Sequence, residues 1–128
     1  MNETHPRLLS VDQENGLPVV SLLTTELRSD SVIARLEKEL DEYLEESGVK
    51  QLVLDLSAVH FLTSSGLRVL IMLRRRLRER GGRFTMCGVH PYVEDVFKTT
   101  RLFTDKFDVF PDVEAAAKAL RSPEGKSS

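Results

Sequence analysis

The stretch Thr63-Ser64-Ser65-Gly66 sets adjacent hydroxyls and a glycine directly behind an apolar run, with His60 and Asp55 a short way upstream. Three chemistries fit these residue types. A hydroxyl that opens a helix lies beside backbone N–H groups without partners, at the positive end of the helix, where a phosphate is tolerated. The same hydroxyls, Thr63 or Ser64, serve equally as plain helix caps, with Gly66 allowing close packing. A Ser/His/Asp hydrolase using Ser64 and His60 is the third. It lacks the Gly-x-Ser-x-Gly elbow, because Leu62 stands where the first glycine belongs. His5, His60 and His90 are too scattered for a metal site by spacing. There is no Walker loop and no Gly-x-Gly-x-x-Gly, so the expectation is no cofactor.

A second cluster is basic: Arg68, Arg74, Arg75, Arg76, Arg78, Arg80 and Arg83. Charge runs of this kind ordinarily form a solvated face, and cations suit a helix C-terminus. At helical spacing, however, Arg68, Met72, Arg75, Arg76 and Glu79 share one stripe away from the apolar positions. An exposed methionine among arginines suits a protein interface, so Arg68, Met72, Arg75 and Arg76 are candidate partner-binding residues. Nucleic acid would call for interleaved aromatics or a reading helix, and neither occurs here.

The elements that must position these groups follow from periodicity. Leu8 to Val11 reads as a first strand, followed by a turn at Asn15-Gly16, and it forms a hairpin across Asp12 to Pro18 with a second strand, Val19 to Thr24. Ser29-Asp30-Ser31 supplies caps for a helix beginning near Ser31. Its apolar positions are Val32, Ile33, Leu36, Leu40, Tyr43 and Leu44, and Gly48 ends it. Gln51 to Leu56 is apolar almost throughout, as expected of a central parallel strand. A helix from Ser64 to Arg80 buries Val69, Leu70, Leu73 and Leu77, and Gly81-Gly82 stops it before a strand over Arg83 to Cys87. Pro91 opens a third helix with Val93, Val96 and Phe97 inward. Phe107 to Phe110 is a short edge strand, and Asp112 caps a last helix over Val113 to Leu120. This order predicts a single α/β domain over residues 8–121, a mixed sheet of about five strands with four helices packed against it. Residues 1–7 and 122–128 are polar and are expected to be a flexible N-terminus and a disordered tail.

Composition agrees with one self-sufficient domain. The chain has 128 residues, 41% hydrophobic and 30% charged, enough to bury a core without metal or disulfide support. A net charge of −2 gives no overall attraction to nucleic acid or an anionic membrane. The single cysteine, Cys87, reads as a core residue. Neither a signal-peptide pattern nor a membrane-length apolar run occurs, and a cytoplasmic location is expected.

Strand, short loop, then Thr63-Ser64-Ser65-Gly66-Leu67 resembles the signature of STAS-domain anti-anti-sigma factors, in which the run is Asp-Ser-Ser/Thr-Gly-Leu. The resemblance extends to Gly81-Gly82-Arg83-Phe84, to Cys87-Gly88-Val89-His90-Pro91, and to Phe97-Lys98, Leu102-Phe103 and Phe107-Asp108-Val109-Phe110 before the alanine-rich last helix. It implies a STAS-like fold and an anti-sigma factor antagonist that is not an enzyme. The implied partner is a serine-kinase anti-sigma factor. It also implies that Ser64 is the phosphorylation site and that phosphorylation switches binding off. The family's aspartate is replaced by Thr63, which, like Ser65, is a candidate second acceptor or cap. The family's Gly-Glu-Leu-Asp turn is reduced to Glu26-Leu27 within Thr25-Glu26-Leu27-Arg28. The alternatives are a constitutive STAS scaffold or transporter-associated subunit, in which Ser64 only caps a helix, and the small Ser/His hydrolase.

Overall fold

A computed structural model describes residues 7–99 and 108–122. Strands β1 (Leu9–Glu14) and β2 (Leu17–Leu22) pair antiparallel, with Glu14 opposite Leu17. Only Asn15 and Gly16 connect them, both at positive φ (51° and 86°), the two-residue hairpin turn whose twist matches the strands. The hairpin is therefore longer than the sequence suggested. Polar Asp12, Gln13 and Glu14 continue β1 as an exposed edge instead of forming a loop.

Helix α1 (Asp30–Ser47) starts at its cap Ser29, whose hydroxyl accepts the Val32 N–H at 3.1 Å. It ends at Gly48, left-handed at φ 68°. Strand β4 (Gln51–Asp55) is central and parallel to both neighbours, β2 and β6 (Arg83–Cys87). Helix α2 (Ser64–Glu79) links β4 to β6, and helix α3 (Pro91–Thr99) follows β6. Strand β7 (Val109–Phe110) closes the sheet in the order β1-β2-β4-β6-β7, and helix α4 (Val113–Arg121) ends the fold. Five strands and four helices match the sequence expectation.

The two faces of this sheet differ. Leu9, Val20, Leu22, Leu52, Leu54, Phe84 and Met86 face α1, α2 and α3, forming the larger core with Leu36, Leu40, Val69, Leu70, Leu73 and Leu77. Val19, Val53 and Cys87 face α4 alone. Ala116 and Ala117 let that helix approach closely, and the buried Thr85 hydroxyl donates to the Ala116 carbonyl at 3.0 Å. Gly82 is required between α2 and β6, since a Cβ there would lie 1.7 Å from the Lys50 carbonyl oxygen.

A second, parallel sheet pairs β3 (Glu26–Leu27) with β5 (Phe61–Leu62). Two residues per strand leave no alternation to read, so both segments look like loop in the sequence. The expected flexible N-terminus and disordered tail, the Leu102-Phe103 pair and Phe107 lie wholly or mostly outside the described residues. Among the described residues no helix is long and apolar enough to cross a membrane.

Candidate functional site

The chain from β4 to α2 is held at both ends of its loop. The Asp55 carboxylate accepts the Ser57 N–H at 2.9 Å, and the His90 Nε2–H donates to the Ser57 carbonyl at 2.9 Å. Gly88, at φ 69°, makes room for Ser57, whose Cβ would lie 2.9 Å from an added Cβ. The His60 N–H donates to the Thr25 carbonyl at 2.8 Å and its ring lies 4.2 Å from that of His90. Phe61 stacks on Tyr92 at 5.5 Å, and the Arg28 guanidinium sits 5.4 Å from the Phe61 ring centre.

These contacts deliver Thr63 to the Leu27 carbonyl, which accepts its N–H at 3.1 Å and its hydroxyl at 3.5 Å. The Thr63 hydroxyl in turn accepts the Gly66 N–H at 3.4 Å, capping α2. Of the two roles open to Thr63 in the sequence, the structure shows the cap. Gly66 is buried beneath β3, and a Cβ on it would lie 2.5 Å from the Leu27 oxygen. Ser64 is the first helical residue and is exposed, while Ser65 is half-buried. The first turn of α2 carries no acidic side chain, unlike those of α1, α3 and α4. An anion on Ser64 would thus meet partnerless N–H groups and no like charge on that turn.

Among the described residues no hydrogen bond links Ser64, His60 and Asp55 into the chain a Ser/His/Asp hydrolase would use. Asp55 is engaged by the Ser57 N–H and the His60 ring by His90. A second nucleophile, the buried Cys87, is sealed: burial first, then the charges of Asp55 and Asp112, pushes its pKa up to about 12.

The basic stripe is only partly available. Arg68 and Arg75 are exposed on α2. Met72 is half-buried, so the exposed methionine expected from the sequence is corrected. Arg76 is half-buried and ion-paired with Asp41 of α1, and Arg80 pairs with Glu45 at 3.0 Å, so both tie the two helices together. Arg83 donates to the Ala119 carbonyl at 3.0 Å and fastens α4. Sequence reasoning missed Arg28, Phe61 and Tyr92 as a surface beside the loop that leads into α2. Tyr92 is 51% exposed. Its one available signal was an aromatic next to Pro91 but off the apolar stripe of α3.

The STAS domain family model matches residues 29–116, which span the helix α1, β4, the loop into α2, α2, β6 and the start of α4. BtrV of Bordetella bronchiseptica, whose name proposes the role of anti-sigma factor antagonist, is 28% identical over 116 residues, covering 89% of this chain and 95% of its own. The crystal structure of an anti-sigma factor antagonist from Mycobacterium paratuberculosis superposes with a TM-score of 0.73 at 29% identity, covering 89% of this chain and 93% of that one. A STAS domain protein from Planctomyces limnophilus shares the fold, with a TM-score of 0.73 at 21% identity over 88% of this chain and 96% of that one. The family match spans residues 29–116, which hold β4, the pinned loop and the serine that opens α2. The chain belongs to the STAS domain family.

Proposed function

We propose that this protein is an anti-sigma factor antagonist that binds a serine-kinase anti-sigma factor and is switched off by phosphorylation at Ser64. It works as a cytoplasmic binding module without turnover of its own. The observation that carries this reading is the exposed Ser64 hydroxyl at the first residue of α2, beside a Thr63 hydroxyl already occupied as cap. In the transfer, a bond forms between the Ser64 oxygen and the γ-phosphorus of ATP. The bond to the β-phosphate oxygen breaks, ADP leaves, and the hydroxyl proton passes to a base on the kinase. Arg68, Arg75 and the half-buried Met72 lie along the same helix and form part of the docking face.

The electrostatics suffice for a switch. A phosphate adds about −1.5 to −2 charges. One unit-charge repulsion at about 4 Å is worth roughly 4 kcal/mol at an effective dielectric of about 20. Converting a population from 99:1 to 1:99 takes about 5.5 kcal/mol, so repulsion and phosphate desolvation together reach the scale without refolding.

Incubation with the cognate kinase and ATP, followed by mass spectrometry, is expected to place the phosphate on Ser64. Phosphate on Ser65 or Thr63 alone would sink the assignment. In calorimetry with the kinase, Ser64→Ala is expected to bind and Ser64→Asp to bind more weakly, with unchanged circular dichroism. A second reading is a constitutive scaffold. It is favoured by the Thr63 cap, which gives the motif a structural purpose with no phosphate at all. Equal affinity for wild-type, phosphorylated and Ser64→Asp protein would select it.

A further inference from the structure

Arg68 stands one helical turn after Ser64, and helical side chains lean toward the N-terminus, which puts the turn that Ser64 opens within reach of its guanidinium. Both residues are exposed. The helical neighbours of Arg68 at three and four positions are Ser64, Ser65, Ile71 and Met72, none of them a carboxylate. Among the described residues no hydrogen bond or ion pair engages Arg68, whereas Arg76 and Arg80 further along α2 are held by Asp41 and Glu45. Nothing in the first turn competes for it: Thr63 is uncharged, and its hydroxyl is shared between the Gly66 N–H and the Leu27 carbonyl.

We propose that Arg68 is an intramolecular clamp for the phosphoryl group on Ser64, so that phosphorylation removes this arginine from the docking face at the same time as it adds negative charge. The proposal rests on Ser64 being the acceptor. A guanidinium fork matches two phosphate oxygens at once, and a dianion gains more from it than a monoanion does. The off state then differs from the on state by more than repulsion. A partner carboxylate that pairs with Arg68 in the unmodified protein finds it already occupied.

The test uses full-length protein with phosphoserine installed at position 64 during translation, which makes it independent of any kinase. Phosphorus NMR follows the second ionisation of the phosphate against pH. In wild type it is expected about 0.3 pH units lower than in Arg68→Gln, with Arg68→Lys between them and Arg75→Gln like wild type. No difference between wild type and Arg68→Gln, or an equal shift with Arg75→Gln, would overturn the clamp. A second readout needs no variant: the Nε–H resonance of Arg68 is expected to shift between serine and phosphoserine forms, and an unmoved resonance also refutes the clamp. If the kinase leaves Ser64 unmodified, the functional reading fails while these two measurements still stand or fall alone.

Discussion

The starts of α1 and α2 are built to the same plan, a hydroxyl cap followed by the first helical turn, and differ at three of their four positions. Ser29-Asp30-Ser31-Val32 opens α1, and Thr63-Ser64-Ser65-Gly66 opens α2. In each, the cap hydroxyl accepts the N–H of the residue three further on, at 3.1 Å in α1 and 3.4 Å in α2. The first helical residue is an acid in α1 and a serine in α2. The third is a half-buried valine in α1 and a buried glycine in α2. The α1 start is complete: capped, charge-compensated and with a side chain packed on the core. The α2 start is capped, but its charge compensation is left open and β3 passes directly over it. The same local grammar thus yields one purely structural terminus and one that is mechanically fixed yet electrostatically unfinished, which is what a reversible anion requires.

The contrast between open and sealed groups extends to the two nucleophiles of this region. Ser64 is exposed, whereas Cys87 ends β6 opposite Asp55 of β4 and is 1% exposed. Burial and the nearby carboxylates push its pKa up to about 12, so at pH 8 it is held almost wholly as the thiol. Alkylation of the native protein by iodoacetamide is expected to be far slower than alkylation in urea, because the thiol is both buried and protonated, and comparable rates would refute the seal. The sign for stability follows from the proton being held more tightly in the folded state. The contribution is complete below about pH 9 and is lost as pH rises toward about 12.

Gly66→Ala tests the mechanical half of the comparison. The new methyl would lie 2.5 Å from the Leu27 oxygen and 3.2 Å from the Leu62 Cβ, so β3 or α2 must shift. The expected cost is about 1–3 kcal/mol by urea denaturation. In α1, Val32→Ala only trims a half-buried side chain and is expected to cost about 1 kcal/mol or less. Equal costs would mean that the close passage of β3 does not constrain α2.

The sequence exposed this plan unevenly, for physical reasons. Long periodic segments were readable: Val69, Leu70, Leu73 and Leu77 share one helical face and are all buried, and the apolar run of β4 is central. The capped start of α2 was readable because strand, loop and cap are local. The small β3–β5 sheet was not, since its order comes from the long-range pairing of Glu26 with Phe61 and Leu27 with Leu62. Nor was the loss of Arg76 from the exposed basic stripe. Helical spacing places it beside Arg75, but only the packing of α2 on α1 brings it to Asp41. Met72 flanks the buried stripe closely enough to be half covered, a difference that period alone does not resolve.

The caps come next in size. Ser29→Ala and Thr63→Ala each remove one hydroxyl acceptor, and each is expected to cost about 1 kcal/mol. Thr63 also donates to the Leu27 carbonyl, so its removal is expected to exceed that of Ser29 and to loosen β3 along with α2. Hydrogen exchange at Gly66 and Thr63 is the direct measurement, because both N–H groups lie in this junction. Faster exchange at Gly66 alone would show that the bond to Leu27 adds nothing.

The smallest effect addresses charge compensation itself. Exchanging the first residues, Asp30→Ser in α1 and Ser64→Asp in α2, moves a carboxylate from one N-terminus to the other. Asp30→Ser is expected to destabilise by about 0.3–1 kcal/mol and Ser64→Asp to stabilise by a similar amount at low ionic strength. The double variant is expected to return close to wild type, because the two termini do not share a partner. Both single effects are expected to shrink in about 1 M salt, where screening acts within about 3 Å. The sign for Ser64→Asp is the informative one. A substitution that stabilises the free domain while weakening binding to the proposed kinase partner separates the cost of charge at the interface from any damage to the fold. If Ser64→Asp destabilises the free domain instead, the α2 terminus is not the open anion position that distinguishes it from α1, and the weaker complex would then reflect a disturbed fold.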